Sequence, residues 1–248
     1  MKLAFFSDVH GNLEALELFI EHSRNLGTEA YACLGDSIGY GPNPNECLEI
    51  IREICHSNVI MGNHEYAALN LMESERLMNP MAFEAICWTQ KQLTKNNIKY
   101  IGGLKLKLET ELFTLTHASC FEPDSWEYLF SGRSLGIMLC LQNSGTSFTF
   151  AGHTHRPMLA DASGKQLIET TFFEGGTTYS NRASEKLLIN PGSIGQPRDP
   201  IHKPCYVTLD TESQQITWWR LDGYDPKITA AKILKTDLPC ECAYSLTR

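Results

Sequence analysis

The 248-residue sequence predicts an α/β fold of two packed mixed β-sheets flanked by helices, a four-layer α-β-β-α sandwich with its site at the C-terminal ends of strands. Three observations carry this. The N-terminal part alternates short apolar runs with helical stretches, the pattern of a parallel sheet with right-handed crossovers. From residue 156 onward, short apolar runs are separated by Gly, Pro, Asn or Asp, the pattern of a mainly β half. Polar clusters also follow directly on apolar runs: Asp8 and His10, Asp36, Asn63 to Glu65, His117, and His153 with His155. Sheets of this kind hold ligands beyond the carboxyl ends of their strands, so these clusters are expected to meet in one crevice.

Residues 2–7 read as a buried parallel strand and 12–26 as the helix after it, with Leu13, Leu16 and Ile20 at helical spacing. Asn12 is the expected N-cap and Gly27 the stop. A strand over 30–34, a helix over 45–55 and a strand over 58–61 follow. Residues 64–95 read as mostly helical, broken at Asn79-Pro80. After Asn96-Asn97 the pattern alternates through Leu104, Leu106 and Leu108, and a hairpin then leads to His117. A helix over 132–142 precedes a strand over 148–151. Strands are expected at 158–160, 166–171, 186–190, 205–210 and 216–221, and a last helix at 226–235. Neither a repeat nor a linker divides the chain, so one domain over 1–248 is expected.

With 42% hydrophobic and 20% charged residues the chain can bury a full core. Its net charge of -8 offers no broad cationic footprint, so a stable nucleic-acid complex is not expected. No apolar run approaches the roughly 18 residues of a bilayer span. The apolar stretch after Met1-Lys2 is too short for a signal peptide, so the expected location is cytoplasmic, away from membranes. Nine cysteines, most within apolar runs, agree with a reducing compartment. Cys240 and Cys242 lack a second pair nearby and read as free thiols in a tail rather than as a zinc site.

Of eight histidines, His22, His56 and His202 lie outside the clusters. Imidazole, carboxylate and amide oxygen together suit divalent Mn, Fe, Zn or Ni rather than Ca or Mg. Asp8, His10, Asp36, Asn63, His117, His153 and His155 are too many ligands for one ion. With one carboxylate shared they suit two ions about 3.5 to 4 Å apart. Asp8 and His10, two apart in a segment expected to be extended, would face the same way. Two carboxylates against two divalent cations leave net positive charge, which attracts an anion and suits phosphoryl transfer.

In order and spacing, Asp8-Val-His10, Gly35-Asp36, Gly62-Asn63-His64-Glu65, His117 and Gly152-His153-Thr-His155 resemble the five motifs of the calcineurin-like metallophosphoesterases. The stretch from Asn190 to Arg198 resembles a late loop of their small bacterial members. The resemblance implies a hydrolase acting on small phosphodiesters or phosphomonoesters. Position by position, it implies that Asp8, His10, Asp36 and His155 hold one ion and that Asp36, Asn63, His117 and His153 hold the other. Asp36 would be the bridge, and a hydroxide between the ions would attack phosphorus in line. His64 would stabilise or protonate the leaving oxygen, and Glu65 would orient His64.

One stretch departs from relatives of known type. Protein Ser/Thr phosphatases and diadenosine tetraphosphatases of the superfamily carry an acid and an arginine after the Gly-Asp pair, where this chain has Ser37 to Gly41. A bidentate phosphate-binding arginine is missing there, which weighs against both activities. Arg198 is the basic candidate for holding substrate; Arg156 is the other, with a surface charge as its alternative. Trp218-Trp219 reads as a strand with one ring in the core. A non-catalytic scaffold on the same fold, as in the retromer subunit, is the rival from another class, yet here every ligand position is filled and His64 is present. The metallo-β-lactamase pattern fails because His155 is followed by Arg156-Pro157, and the amidohydrolase pattern because Asp8, not His, precedes Val9-His10. Pocket walls are expected from residues 37–45, 64–90, 120–131 and 172–200, where loops choose the substrate.

Overall fold

A computed structural model describes residues 1–130, 134–162, 166–168, 176–181 and 185–247. Strand β1 (Lys2–Phe6) is apolar on both faces because both are covered. Leu3 and Phe5 enter the core between the sheets, while Ala4 and Phe6 pack under helix α1 (Leu13–Asn25). Asn12 caps α1, its side chain accepting from the Ala15 amide at 3.2 Å. β2 (Ala30–Cys33) pairs parallel with β1, and α2 (Pro44–Cys55) packs beside α1 on the same outer face. Four helices follow: α3 (Asn63–Leu69), α4 (Leu71–Ser74), α5 (Pro80–Gln92) and α6 (Lys95–Ile101).

The hairpin of β3 (Lys107–Glu109) and β4 (Phe113–Thr116), helix α7 (Ser134–Gln142) and strand β5 (Phe148–Ala151) begin the second sheet. The rest is divided between the two sheets: β6 (Met158–Asp161), β7 (Gln166–Ile168), β8 (Thr177–Ser180), β9 (Leu187–Asn190), β10 (Cys205–Asp210) and β11 (Gln215–Arg220). Helices α8 (Pro226–Ile233) and α9 (Cys240–Leu246) close the chain. Among the described residues one sheet runs β2-β1-β10-β11-β8 and the other β3-β4-β5-β9-β6-β7. Their inner faces meet in a core where Phe5 stacks on Phe150 at 3.6 Å between centroids and meets Phe113 edge-on at 5.0 Å. Helices α1 and α2 cover one outer face and α7 the other, giving the expected four layers.

Local differences from the sequence reading have physical reasons. Residues 58–61 form two isolated parallel bridges, Cys33 with Val59 and Ile60 with Lys105, because the chain turns at Gly62 before a ladder can extend. Asn96 and Asn97 do not end the helical region: Thr94 caps α6 by accepting from the Asn97 amide at 3.2 Å. The strand expected over 166–171 is described to Ile168 and the helix expected over 132–142 from Ser134; their remaining residues lie outside the described set. Strand β8 and helix α9 carried no period long enough to be read. The expected tail is thus a helix, with Cys240 exposed and Cys242 buried against the cluster that contains Tyr40. Among the described residues no helix is long and apolar enough to cross a membrane.

Candidate metal centre

The loops that leave β1 and β2 are zipped together by backbone bonds. The amides of Asp8, His10 and Gly11 donate to the carbonyls of Gly35, Asp36 and Ser37 at 3.1, 2.9 and 2.8 Å. The late loop staples this pair to the second sheet. Ser193 Oγ donates to the Asp8 carbonyl at 2.8 Å, and Asn190 Nδ2 donates to the Gly152 carbonyl at 2.7 Å. A Cβ at Gly152 would collide with Ser7 Oγ, so the loops after β1 and β5 can meet only around a glycine.

Asp8, His10, Asp36, His153 and His155 all have φ between 51° and 64°, in the left-handed region. Each such residue costs about 1 to 2 kcal/mol, and concentrated strain of this kind marks functional sites. Asp8 and His10 therefore do not lie in an extended segment. They converge because the backbone reverses hand at each of them.

Backbone carbonyls set the histidine tautomers. Nδ1 of His10, His117 and His155 donates to the carbonyls of Ile38, Leu34 and Gln196 at 3.0, 2.6 and 2.6 Å, which leaves each Nε2 lone pair aimed inward. The inward nitrogens of His10 and His155 lie 3.2 Å apart, and Asp8 Oδ1 is 3.4 Å from the latter. Both Asp8 oxygens are buried without a hydrogen-bond partner. Acceptors facing one another at this range fit a cation between them. Across the shared Asp36, Oδ2 lies 3.7 Å from His10 Nε2 and 3.3 Å from His117 Nε2, which in turn is 3.1 Å from Asn63 Oδ1. His153 is turned the other way: its Nε2 donates to the Trp126 carbonyl at 3.0 Å, so Nδ1 is the atom left to bind.

Two groups of donors result, each with atoms within 4.8 Å of one another: Asp8, His10, Asp36 and His155, and Asp36, His117 and His153. All are buried, and the nitrogen and oxygen donors suit borderline divalent cations. Burial pushes the Asp8 carboxyl up to about 7, with the Asp36 charge adding to it. Burial likewise holds His10 and His155 well below the ordinary histidine range, in the neutral form a metal ligand needs. For His117 burial acts the same way, but the Asp36 carboxylate outweighs it and raises the ring to about 9, so a cation binding at Nε2 would displace a proton from it.

His64 sits beside these groups, its Nε2 3.9 Å from Asp36 Oδ2 and its buried Nδ1 without a hydrogen-bond partner. Gly39, at φ 89°, leaves room for the ring, since a Cβ there would strike His64 Nδ1. Glu65, expected to orient His64, is bound elsewhere. Its Oε2 accepts from the amides of Asp36 and Gly62, both at 2.9 Å, and its Oε1 from Ser37 and Ile38 at 2.7 and 3.3 Å. Burial and the nearby Asp36 charge raise its pKa, yet four donors and no acceptor require the ionised form. Glu65 thus positions the Asp36 loop. Glu65→Ala is expected to lower the unfolding free energy by at least about 3 kcal/mol, since it orphans buried donors around a lost charge. Urea denaturation checks this, and a loss below about 1 kcal/mol would contradict it.

A cavity of about 390 Å³ opens over the centre, lined at its base by Asp36, Asn63, His64, His153 and His155. Arg198 also lines it, its Nη2 donating to Gln196 Oε1 at 3.0 Å, whereas the exposed Arg156 does not. Trp218 Nε1 donates to the Asn190 carbonyl in the core and Trp219 Nε1 to Thr208 Oγ1, so neither ring serves the cavity. Of the expected walls, 37–45, 64–90 and 120–131 contribute, and Arg198 contributes from 172–200; residues 172–175 and 182–184 lie outside the described set. Within 120–131, sequence reasoning singled out neither Trp126 nor Tyr128. Trp126 has φ 53° and presents its carbonyl to His153, while Tyr128 stacks on the His153 ring at 4.0 Å. Neither role leaves a periodic signal; the Pro123-Asp124-Ser125 turn before Trp126 was the available hint.

Comparison with known proteins agrees with this geometry. Residues 1–214 match the family model described as the calcineurin-like phosphoesterase superfamily domain. The chain is 38% identical over 242 residues to the uncharacterized protein MJ0912 of Methanocaldococcus jannaschii, covering 96% of this chain and 93% of that one. It is 23% identical over 221 residues to the phosphodiesterase YfcE of Escherichia coli, covering 86% and 89% respectively. The crystal structure of a metallophosphoesterase from Sphaerobacter thermophilus superposes with a TM-score of 0.86 at 29% identity, covering 100% of this chain and 98% of that chain.

Proposed function

Because this chain belongs to the calcineurin-like phosphoesterase superfamily, we propose that it is a metal-dependent hydrolase of small phosphodiesters or phosphomonoesters, built as one domain over residues 1–248. The observation that carries the reading is the pair of buried donor groups sharing Asp36 at the base of a cavity that also holds His64 and Arg198. The family is dimetal-dependent, and Asp8, His10, Asp36 and His155 would hold one ion, Asp36, Asn63, His117 and His153 the other. Such ions, drawn from Mn, Fe, Zn or Ni, supply Lewis-acid polarisation of a phosphate and an acidified water.

The chain's own residues do the rest. The backbone carbonyls behind His10, His117 and His155 fix which nitrogen faces the phosphate site, so no ring need rotate during the reaction. His64, buried and outside both donor groups, would stabilise or protonate the leaving oxygen. Arg198 donates to non-bridging oxygens and orients the ester. The nine unbridged cysteines support placing the protein in the cytoplasm.

Hydrolysis of bis(p-nitrophenyl) phosphate and p-nitrophenyl phosphate by stripped protein reconstituted with Mn, Ni, Zn or Mg tests this. The name of the Escherichia coli relative recommends the diester as the first substrate. Metal-dependent release of nitrophenolate from either ester is the expected result. No release with any metal would favour the scaffold instead.

A further inference from the structure

Resting on that reading, the geometry points to a substrate in which a single phosphoryl group is esterified to an alcohol bearing a flat, uncharged aromatic ring, received by Trp126 and Tyr66. The cavity of about 390 Å³ is large for a phosphate alone and falls in the range that holds whole small molecules. Away from the metal-ligand base its wall carries aromatic and aliphatic side chains among the polar Ser74, Asn79 and Ser125. The Trp126 ring lies 6.1 Å from the His117 ring and 5.7 Å from that of Tyr66, so aromatic surface begins directly beside the expected phosphate position. Leu77, Met78 and Ala82 add aliphatic lining.

Charge narrows the class further. Among the described residues Arg198 is the one Lys or Arg that lines the cavity, and Asp124 adds a carboxylate. A polyphosphate chain would need more cations and would meet that acid. A neutral ring avoids both costs and gains a stacking surface. Tyr128, by contrast, has His153 at 4.0 Å and Phe130 at 5.4 Å stacked on its ring, so it braces His153 and does not receive the ligand. Trp126 (φ 53°) and Glu122 (φ 48°) flank the 3-10 turn Pro123–Ser125 in the left-handed region, a strained loop that fixes where the indole stands.

The test compares adenosine 5'-monophosphate with ribose 5-phosphate, which share the same phosphorylated primary alcohol and differ in the base. Binding of each to manganese-loaded protein is read by calorimetry, so the result does not depend on turnover. The nucleotide is expected to bind about tenfold tighter, the factor that about 1.4 kcal/mol of stacking gives. Trp126→Ala should bring the ratio of the two dissociation constants to about one, and Trp126→Phe should restore most of it. Equal affinities in the unaltered protein would overturn the inference without any variant, as would a ratio that Trp126→Ala leaves unchanged. Hydrolysis of bis(p-nitrophenyl) phosphate and of p-nitrophenyl phosphate is followed in parallel. Turnover with a ratio of one overturns the aromatic subsite alone, whereas a tenfold ratio without turnover overturns the hydrolase reading alone. Failure of the metal-loaded protein to bind either ligand overturns both.

Discussion

Asp36→Asn is expected to strip the protein of both ions and reduce hydrolysis at least a thousandfold. Asp36 is the carboxylate common to both donor groups. Its Oδ2 lies 3.7 Å from His10 Nε2 and 3.3 Å from His117 Nε2, while Oδ1 accepts from the His64 amide at 2.8 Å. Asparagine preserves the shape and one acceptor but removes the charge that faces both cations. Loss of even an outer partner of a metal ligand costs about 10- to 100-fold in affinity, and a shared ligand costs more. Metal content after gel filtration should fall from two ions per chain to less than one. Two tightly held ions in Asp36→Asn would contradict the bridging role.

His64→Ala is expected to give the opposite pattern, with both ions retained and turnover reduced by about 10² to 10⁴. That range corresponds to about 3 to 5 kcal/mol of barrier. His64 stands 3.9 Å from Asp36 Oδ2 and belongs to neither donor group, so its loss leaves both sets intact. Burial holds its ring down at about 4, and the charges of Arg198 and His117 push the same way against Asp36, so a free charged ring is disfavoured until negative charge develops beside it. If His64 protonates the leaving oxygen, the loss must be larger for an alkyl ester than for a p-nitrophenyl ester, whose leaving group needs no proton. Equal losses for the two esters, or loss of metal, would contradict this role.

The layers of the fold were legible because the burial of β1, β2, β5 and β10 appears directly as apolar runs. The convergence of Asp8, His10, Asp36, His117, His153 and His155 was legible for a related reason: each follows its strand within a few residues. How they converge was not legible, since a left-handed φ at Asp8 or His155 depends on loops distant in sequence. Asn190 and Ser193, which hold those loops, lie far along the chain from Asp8 and carry no signal of their partners. Glu65 illustrates the same limit. Its place next to His64 suggested a pair, but its carboxylate reaches amides of the β2 loop. Helix α9 and the individual roles of Trp126 and Tyr128 within the expected 120–131 wall were hidden because each is defined by what it covers, Tyr40 in one case and the His153 side of the cavity in the other.

The most direct test of a metal-dependent phosphoesterase is to titrate Mn²⁺ into stripped protein while recording, on the same samples, the ions bound per chain and the rates of bis(p-nitrophenyl) phosphate and p-nitrophenyl phosphate hydrolysis. Hydrolysis should rise with the second equivalent, reach a plateau at two ions per chain and disappear with a chelator. A protein that binds two ions and hydrolyses neither nitrophenyl ester, or one whose hydrolysis survives removal of the ions, would contradict the proposed function.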